Sequence, residues 1–311
     1  MRLFLAFLLL VIGGAAWWLL LDSRPPASAE GEFDIVAYRA LVENDRRLPE
    51  KIAVETVGED FGPAYGVETM GGLGEFEIAF TAFQIVSDAG DIVIGGAVDA
   101  AGAEATRRSE DGAFDPLAYA RLLEAMSDAE QVFITHAHYD HTGAILANPQ
   151  PRALAGKLRL TAPQIAEMTR TAEGGELPRG FGRLRAAEFD GPTRVAPGVV
   201  VVPTPGHTEG SLSFYVKRAD GVELLLIGDI AWAYSNITRL RTRPRLIQYL
   251  IPDWSEDRAA ILRQIRALHE LRLAEPGLVI IPSHDAAYLR GLEKQGLLSA
   301  TFKPAYSRPR R

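Results

Sequence analysis

Apolar and small residues run without a break for nineteen positions, from Leu3 to Leu21. After it the apolar positions fall into shorter blocks with one of two spacings. Positions 33, 36, 37, 40 and 41 keep helical spacing and predict a helix within Phe33 to Arg47. Ile52 to Val57, Phe76 to Val86 and Ile92 to Ile94 predict strands, the last two joined by a turn at Asp88-Ala89-Gly90-Asp91. Asp115 to Met126 predicts a helix with Leu117, Ala120 and Leu123 on one side, and Gln131 to Thr135 predicts a buried strand. Leu158-Arg159-Leu160 reads as a short strand, followed by a helix with Thr161 as its N-cap. Strands recur at Val199 to Val202, Ser211 to Val216, Glu223 to Ile227 and Leu278 to Pro282. Between the last two, Ser255 reads as the cap of a long helix ending near Leu273, with Glu256 and Asp257 in its first turn. No internal repeat or low-complexity tract interrupts this series, and periodicity alone gives a mixed α and β protein.

The N-terminal run is long enough to cross a bilayer core as a helix. Arg2 and the α-amino group precede it, and Trp17 and Trp18 lie near its outer end, where aromatic rings favour the membrane interface. It is longer than a usual signal-peptide core of about 7–15 residues. Against an anchor stand Gly13-Gly14, which weaken the helix, and Ala27-Ser28-Ala29, which a signal peptidase could cut. The expectation is an anchor through residues 3–21 in a bacterial-type inner membrane, with the rest in the periplasm or outside the cell. The alternatives are secretion to the periplasm after cleavage, and a structural apolar helix. Pro25-Pro26 and the small and acidic residues around them read as a linker. The expected division is 1–21 for the anchor or signal, 22–49 for linker and short helix, 50–300 for the main domain and 301–311 for a basic tail.

At 311 residues the chain suffices for one large domain or two small ones, and 47% apolar with 23% charged residues is an ordinary globular balance. A net charge of −7 gives no reason to expect nucleic acid as a partner. The absence of cysteine excludes disulfides and thiolate metal ligands, and fits an oxidising compartment.

The chemistry concentrates in Thr135-His136-Ala137-His138-Tyr139-Asp140-His141-Thr142-Gly143. Three imidazoles and a carboxylate fall where a strand runs out into a loop, with Gly143-Ala144-Ile145-Leu146 reading as the start of a helix. His136 and His138 are two apart and can point to the same side, while Asp140 and His141 follow the turn and can face a second point nearby. Neutral imidazole and carboxylate are the donors that zinc and other borderline divalent metals take. The plain alternative is a solvated loop that happens to hold three histidines.

This H-x-H-x-D-H segment resembles the signature of the metallo-β-lactamase superfamily. Three further family elements follow in order: Pro205-Gly206-His207-Thr208, Leu225-Leu226-Ile227-Gly228-Asp229 and Ile280-Ile281-Pro282-Ser283-His284-Asp285. The resemblance covers about residues 50 to 300 and implies a four-layer αββα sandwich, of class α/β (α+β), preceded here by the N-terminal apolar helix. It implies that His136, His138 and His207 hold one divalent ion, that Asp140, His141 and His284 hold another, and that Asp229 bridges them. Two such ions, zinc first, can hold a hydroxide at neutral pH and polarise the group under attack, so no serine or cysteine nucleophile is needed. Asp140 would then also orient the hydroxide or carry the proton to the leaving group. A mononuclear or metal-free relic is the alternative.

The implied activity is hydrolysis of a small-molecule ester or lactone. Pro205-Gly206-His207-Thr208-Glu209-Gly210-Ser211 is similar to the lactonase-like hydrolases. Lactonases carry a Tyr three residues after the bridging Asp; here Trp232 holds that place and Tyr234 lies two further on, and both are expected to line the pocket. The family's early Asp-Thr-Gly is replaced by Ile94-Gly95-Gly96-Ala97, leaving Asp99 as a substitute, and Gly143-Ala144 stands where many relatives have a Gly pair. No counterpart is found for the lysine with which β-lactamases hold the drug carboxylate. Phosphodiester or β-lactam hydrolysis, a single-iron dioxygenase and a non-catalytic tethered metal binder are the rival readings; His138 stands where the diiron members have Glu. Arg239, Arg241, Arg243 and Arg245 could form a lip over the active site for an anionic or acyl-bearing substrate, but are expected to face solvent, and Leu246 to Ile251 to form a pocket wall or a packed helix. Thr208 and Ser211 could orient His207 or simply make a turn, and His269 reads as a surface histidine.

Overall fold

The computed structural model describes residues 1–29, 31–182, 184–250 and 256–302. It opens with α1 (Arg2–Leu20), no residue of which is buried, and α2 (Ile35–Leu41), whose N-cap Asp34 accepts from the backbone N–H of Ala37. β1 (Lys51–Pro63), α3 (Ala64–Val67), β2 (Glu75–Val86), β3 (Ile92–Ile94), α4 (Ala100–Thr106), β4 (Ala113–Phe114), α5 (Pro116–Asp128) and β5 (Gln131–Phe133) follow. Then come α6 (Tyr139–Leu146), α7 (Pro151–Ala155), α8 (Ala162–Thr171), β6 (Thr193–Ala196), β7 (Val199–Pro203), β8 (Leu212–Lys217) and β9 (Glu223–Gly228). The chain continues through α9 (Tyr234–Arg239), α10 (Arg245–Leu250), α11 (Arg258–Ala274), β10 (Leu278–Pro282) and α12 (Ala286–Lys294).

The strands form two five-stranded sheets, ordered β4-β1-β2-β3-β5 and β10-β9-β8-β7-β6. β1 and β2 make a long antiparallel pair with a bulge between Thr56 and Gly58. Within the two sheets β3 pairs with β5, and β9 with β10, in parallel. Ile52, Val54, Phe83, Ile85 and Phe133 from the first sheet meet Val199, Val201, Phe214, Val216 and Leu226 from the second in one buried cluster. Phe133 meets Phe214 edge-on at 5.5 Å, and each such buried ring is worth about 1.5–3 kcal/mol. A second cluster packs α5, α6 and α8 on the outer face of the first sheet, and a third packs α2, α9 and α11 on the outer face of the second. The result is the expected αββα sandwich. Both faces of the inner strands are covered, which is why Val199 to Val202 is continuously apolar rather than alternating.

Several local expectations need correction. α5 buries Ala118, Leu122, Ala125 and Met126 and turns Leu117 outward. That stripe continues to the end of the helix, whereas the stripe through Leu117 contains exposed Ala120 and only half-buried Leu123. Leu158 makes only an isolated bridge to Val132, not a strand. Thr161 does cap α8, in a capping box with Gln164. α11 is capped by Asp257, which accepts from the N–H of Ala260. Ser255, Ile251 and the tail from 303 lie outside the described residues.

The segment read as a linker is tied down instead. Asp22 pairs with Arg245 at 2.8 Å, Glu32 with Arg263 at 3.0 Å, and Arg266 donates to the carbonyl of Pro26 at 2.8 Å.

Candidate metal centre

β7, β9 and β10 run in one direction, because β8 is antiparallel to both β7 and β9 while β9 and β10 are parallel. Each releases a donor beyond its C-terminal end: His207, Asp229 and His284. Gly228 sits at φ +55°, and a Cβ there would stand 2.9 Å from the Cβ of Thr135, so only glycine lets β9 end against the histidine loop. From the other sheet, β5 delivers His136 and His138. α6 begins at Tyr139 with His138 as its N-cap, four residues earlier than the sequence suggested. Asp140 and His141 therefore lie in its first turn, where the helix dipole favours a carboxylate.

All seven predicted donors converge. His138 Nδ1 and His207 Nε2 are 3.0 Å apart, and His141 Nε2 and His284 Nε2 are 3.4 Å apart. Asp229 stands between the two groups. Its Oδ2 faces His207 Nε2 at 3.5 Å and His136 Nε2 at 3.9 Å. Its Oδ1 faces His141 Nε2 at 3.3 Å, and His284 Nε2 lies 3.1 Å from both oxygens. Asp140 Oδ2 lies 3.5 Å from His284 Nε2 and 3.8 Å from His141 Nε2. Three sets of three donors, namely His136/His138/His207, His136/Asp140/His141 and His141/Asp229/His284, lie mutually within 4.8 Å.

The arrangement fits divalent cations. The Nε2 of His136 and Oδ1 of Asp229 are buried without a hydrogen-bond partner among the described residues, and an orphaned buried acceptor is costly. Burial holds His136 well below its ordinary pKa; burial and the neighbouring His207 push His138 down to about 3. Burial works against charge on His284 too, but Asp229 beside it raises it to about 9. Burial likewise opposes ionisation of Asp229, yet His284, His141 and His136 hold it well below the usual carboxylate range. Imidazoles around a buried carboxylate are the donor set zinc takes, and a cation that takes His284 Nε2 displaces the proton that Asp229 favours there.

A supporting layer aims these rings. His284 Nδ1 is 2.8 Å from the carbonyl of Ala79, and His136 Nδ1 is 3.1 Å from Thr135 Oγ1. His207 Nδ1 meets Glu256 Oε2 at 3.2 Å, and His138 Nε2 faces Glu167 at 3.6 Å. The Glu256 side chain is buried; burial opposes its charge, but Arg243 and His207 hold its pKa at about 2. The Arg243 guanidinium donates to Glu256 and to the backbone carbonyl of Asp229, and lies 4.7 Å over the ring of Trp232. The Trp232 indole N–H donates to Asp229 Oδ2 at 2.7 Å. Glu256, Glu167 and Arg243 were not legible as site residues, because no local motif marks a group that arrives from a distant element.

A cavity of about 290 Å³ opens over the donors, with Ile78, Phe80 and Trp232 as apolar walls and Arg108 and Arg170 also lining it. Trp232 is thus where it was expected. Tyr234 is not among the lining residues: it stacks on Tyr288, with centroids 4.3 Å apart and planes 6° apart. Leu246 to Leu250 do not line it either; α10 packs beside the end of α1. Of the arginine run Arg239 does face solvent, but Arg241 and Arg245 are half-buried and Arg243 is buried among the site residues. Thr208 and Ser211 bond each other and close the turn. Asp99 accepts from the Tyr139 hydroxyl and from the N–H of Gly102, so it fastens α6 to α4. His269 lies outside the site, its ring nitrogen 2.9 Å from the carbonyl of Ile237.

Two facing sheets, helices on both outer faces and histidine and aspartate donors gathered at strand ends are the features of the metallo-β-lactamase fold, which the chain shares. No protein-family profile matches it. It is 26% identical over 195 residues to a probable metallo-hydrolase of Mycobacterium bovis and equally to one of Mycobacterium tuberculosis. The match takes in 53% of this chain and spans 59% of the length of those relatives. A quorum-quenching N-acyl homoserine lactone lactonase shares the fold at TM-score 0.59 and 17% identity, over 83% of this chain and all (100%) of that one. An N-acyl homoserine lactone hydrolase, solved with N-hexanoyl-L-homoserine at its catalytic metal centre, does so at TM-score 0.57 and 16% identity, over 78% and 96%.

Proposed function

We propose that the chain is a binuclear metal-dependent hydrolase of esters or lactones. The observation that carries this is the placement of Asp229 between the two donor groups, with Oδ2 toward His136 and His207, Oδ1 toward His141, and both oxygens 3.1 Å from His284 Nε2. On this reading His136, His138 and His207 hold one ion, Asp140, His141 and His284 the other, and Asp229 joins them. When bound, two divalent ions, zinc first, supply Lewis acidity and a nucleophile at neutral pH. The protein's own part is to place the substrate and move a proton. Ile78, Phe80 and Trp232 give the acyl portion apolar walls, and Trp232 fixes Asp229 through its indole N–H. Asp140 lines the same cavity and is the carboxylate placed to pass a proton to the leaving oxygen. The solved lactonases of the same fold and the mycobacterial metallo-hydrolases support this class of reaction.

Arg108 and Arg170 favour a second feature in the substrate. Two guanidinium groups on one cavity suit an anionic group remote from the bond that breaks, and they are also what a phosphodiester would need. A panel of esters, lactones, phosphodiesters and β-lactams decides between them. The reading predicts faster turnover of apolar-chain esters or lactones. Phosphodiesterase activity that exceeds both and vanishes in Arg108→Ala would overturn it.

The helix Arg2–Leu20 is long and apolar enough to cross a membrane. We take it as an uncleaved anchor that leaves the hydrolase on the outer side. N-terminal sequencing of the mature protein tests this; a chain starting near Ala29 would show a cleaved signal instead.

A further inference from the structure

We propose that the hydrolase domain lies on the bilayer through a second contact of its own, formed by the loop at Met70 and Leu73 and by Tyr249 and Leu250 of α10. The proposal rests on the anchor reading of α1 and adds a fixed face to it. A helix of this length rises about 28 Å, nearly a hydrocarbon core, so Trp18, Leu21 and Asp22 would stand at headgroup level.

Those residues are clamped to the domain. Arg245 pairs with Asp22 at 2.8 Å and stacks over Trp18 at 4.4 Å. Trp18 meets the Tyr249 ring at 6.3 Å. Arg258 donates to the carbonyl of Asp22, and buried Ser23 bonds Thr69. The N–H of Thr69 in turn donates to the carbonyl of Thr242 at 2.9 Å. The end of α1, the loop after α3 and α10 therefore form one contiguous piece of surface.

On that piece Leu73 is 91% exposed, and Met70, Tyr249 and Leu250 are each 65% exposed. Apolar side chains gathered this way mark a contact site. The occupant follows from what emerges beside them: an apolar helix with no buried residue, whose Trp18 in the last turn is held by Arg245 and Tyr249, residue types suited to the membrane interface. With Asp22 and Ser23 held to the domain directly after the helix, a bilayer that takes α1 also meets this face. The occupant is a phospholipid surface.

The chain has no cysteine, so single-cysteine labelling of the full-length protein is clean. Leu73→Cys and Leu250→Cys probe the face. Leu117→Cys and Leu273→Cys probe leucines 70% and 61% exposed elsewhere. Leu9→Cys probes the anchor. Each variant carries a polarity-sensitive fluorophore in phosphatidylcholine vesicles, with and without a lipid bearing a shallow spin-label quencher. Emission from positions 73 and 250 is expected to fall by about half, as burial ~5–10 Å into the headgroup boundary requires, and emission from 117 and 273 to stay unchanged. Quenching at 9 but not at 73 and 250 overturns the proposal and leaves the anchor standing. A blue shift at 73 and 250 without quenching means that a second copy of the chain covers the face, which also overturns it. Equal quenching at all four surface positions does the same. No quenching at 9, even by a deep quencher, removes the anchor and this proposal with it.

Discussion

Glu256 shows what one side chain beyond the ligands contributes. It is buried between Arg243 and His207, and its charge satisfies both. Glu256→Gln keeps the shape and removes the charge. Metal affinity, measured by competition with a chelator, is expected to fall about 10–100-fold, in the range for partners of metal-bound histidines. Unchanged affinity would show that Glu256 serves stability alone. Arg243→Met is expected to cost about 3–5 kcal/mol in denaturant unfolding, because it strands a buried carboxylate. At this scale the seven donors were legible, since four sit in one short motif and three follow strand-terminal signals. Glu256, Glu167 and Arg243 were not, and Tyr234 was misplaced, because its chain distance from Asp229 said nothing about the ring of Tyr288 that holds it.

Helix α2 illustrates how an element outside the catalytic sheets is held. Its Arg39 reaches Glu223 on β9 at 2.6 Å and Glu275 after α11 at 2.8 Å, while the Tyr215 hydroxyl donates to Glu223 at 2.7 Å. Burial raises the Glu223 carboxyl, but Arg39 and Tyr215 bring it below its ordinary value. A carboxylate so depressed stabilises the fold above its unfolded pKa of about 4.3, and the contribution is lost as pH falls through the lower folded value. Arg39→Met is therefore expected to destabilise by on the order of 1 kcal/mol at pH 7, with the difference from the parent shrinking below about pH 4. A pH-independent difference would point to lost packing of the arginine stem instead. The inner strands were readable from their apolar runs because they are covered on both sides, whereas the short edge strands β4 and β6, with exposed or half-buried residues, were not. The start of α6 was not, because His138, Tyr139 and Asp140 carry a polar pattern that reads as loop; nor was the buried face of α5, where two apolar stripes compete.

The sandwich is organised so that four strand ends, one from the first sheet and three from the second, meet at the floor of one cavity. The order of the motifs along the chain made that convergence legible before any coordinates. The docking of Asp22, Pro26 and Glu32 onto α10 and α11 was not, because a segment with two prolines and small residues reads as linker until the arginines that hold it are seen. The shape of the cavity argues at this scale for substrate choice. Trp232→Ala enlarges its apolar wall, and acyl-chain-length preference, measured as kcat/KM across a series, is expected to shift toward longer chains. A uniform loss across the series would show that the indole matters only through Asp229.

The central claim is that Asp229 joins two metal ions that the hydrolase needs. The most direct measurement is metal content by mass spectrometry, with ester and lactone turnover, on the purified protein and on Asp229→Ala. The account predicts about two divalent ions per chain in the parent, fewer in the variant, and turnover lowered to background. A parent with one iron and oxygen-dependent activity, or a variant that hydrolyses at near-parental rate, would contradict it.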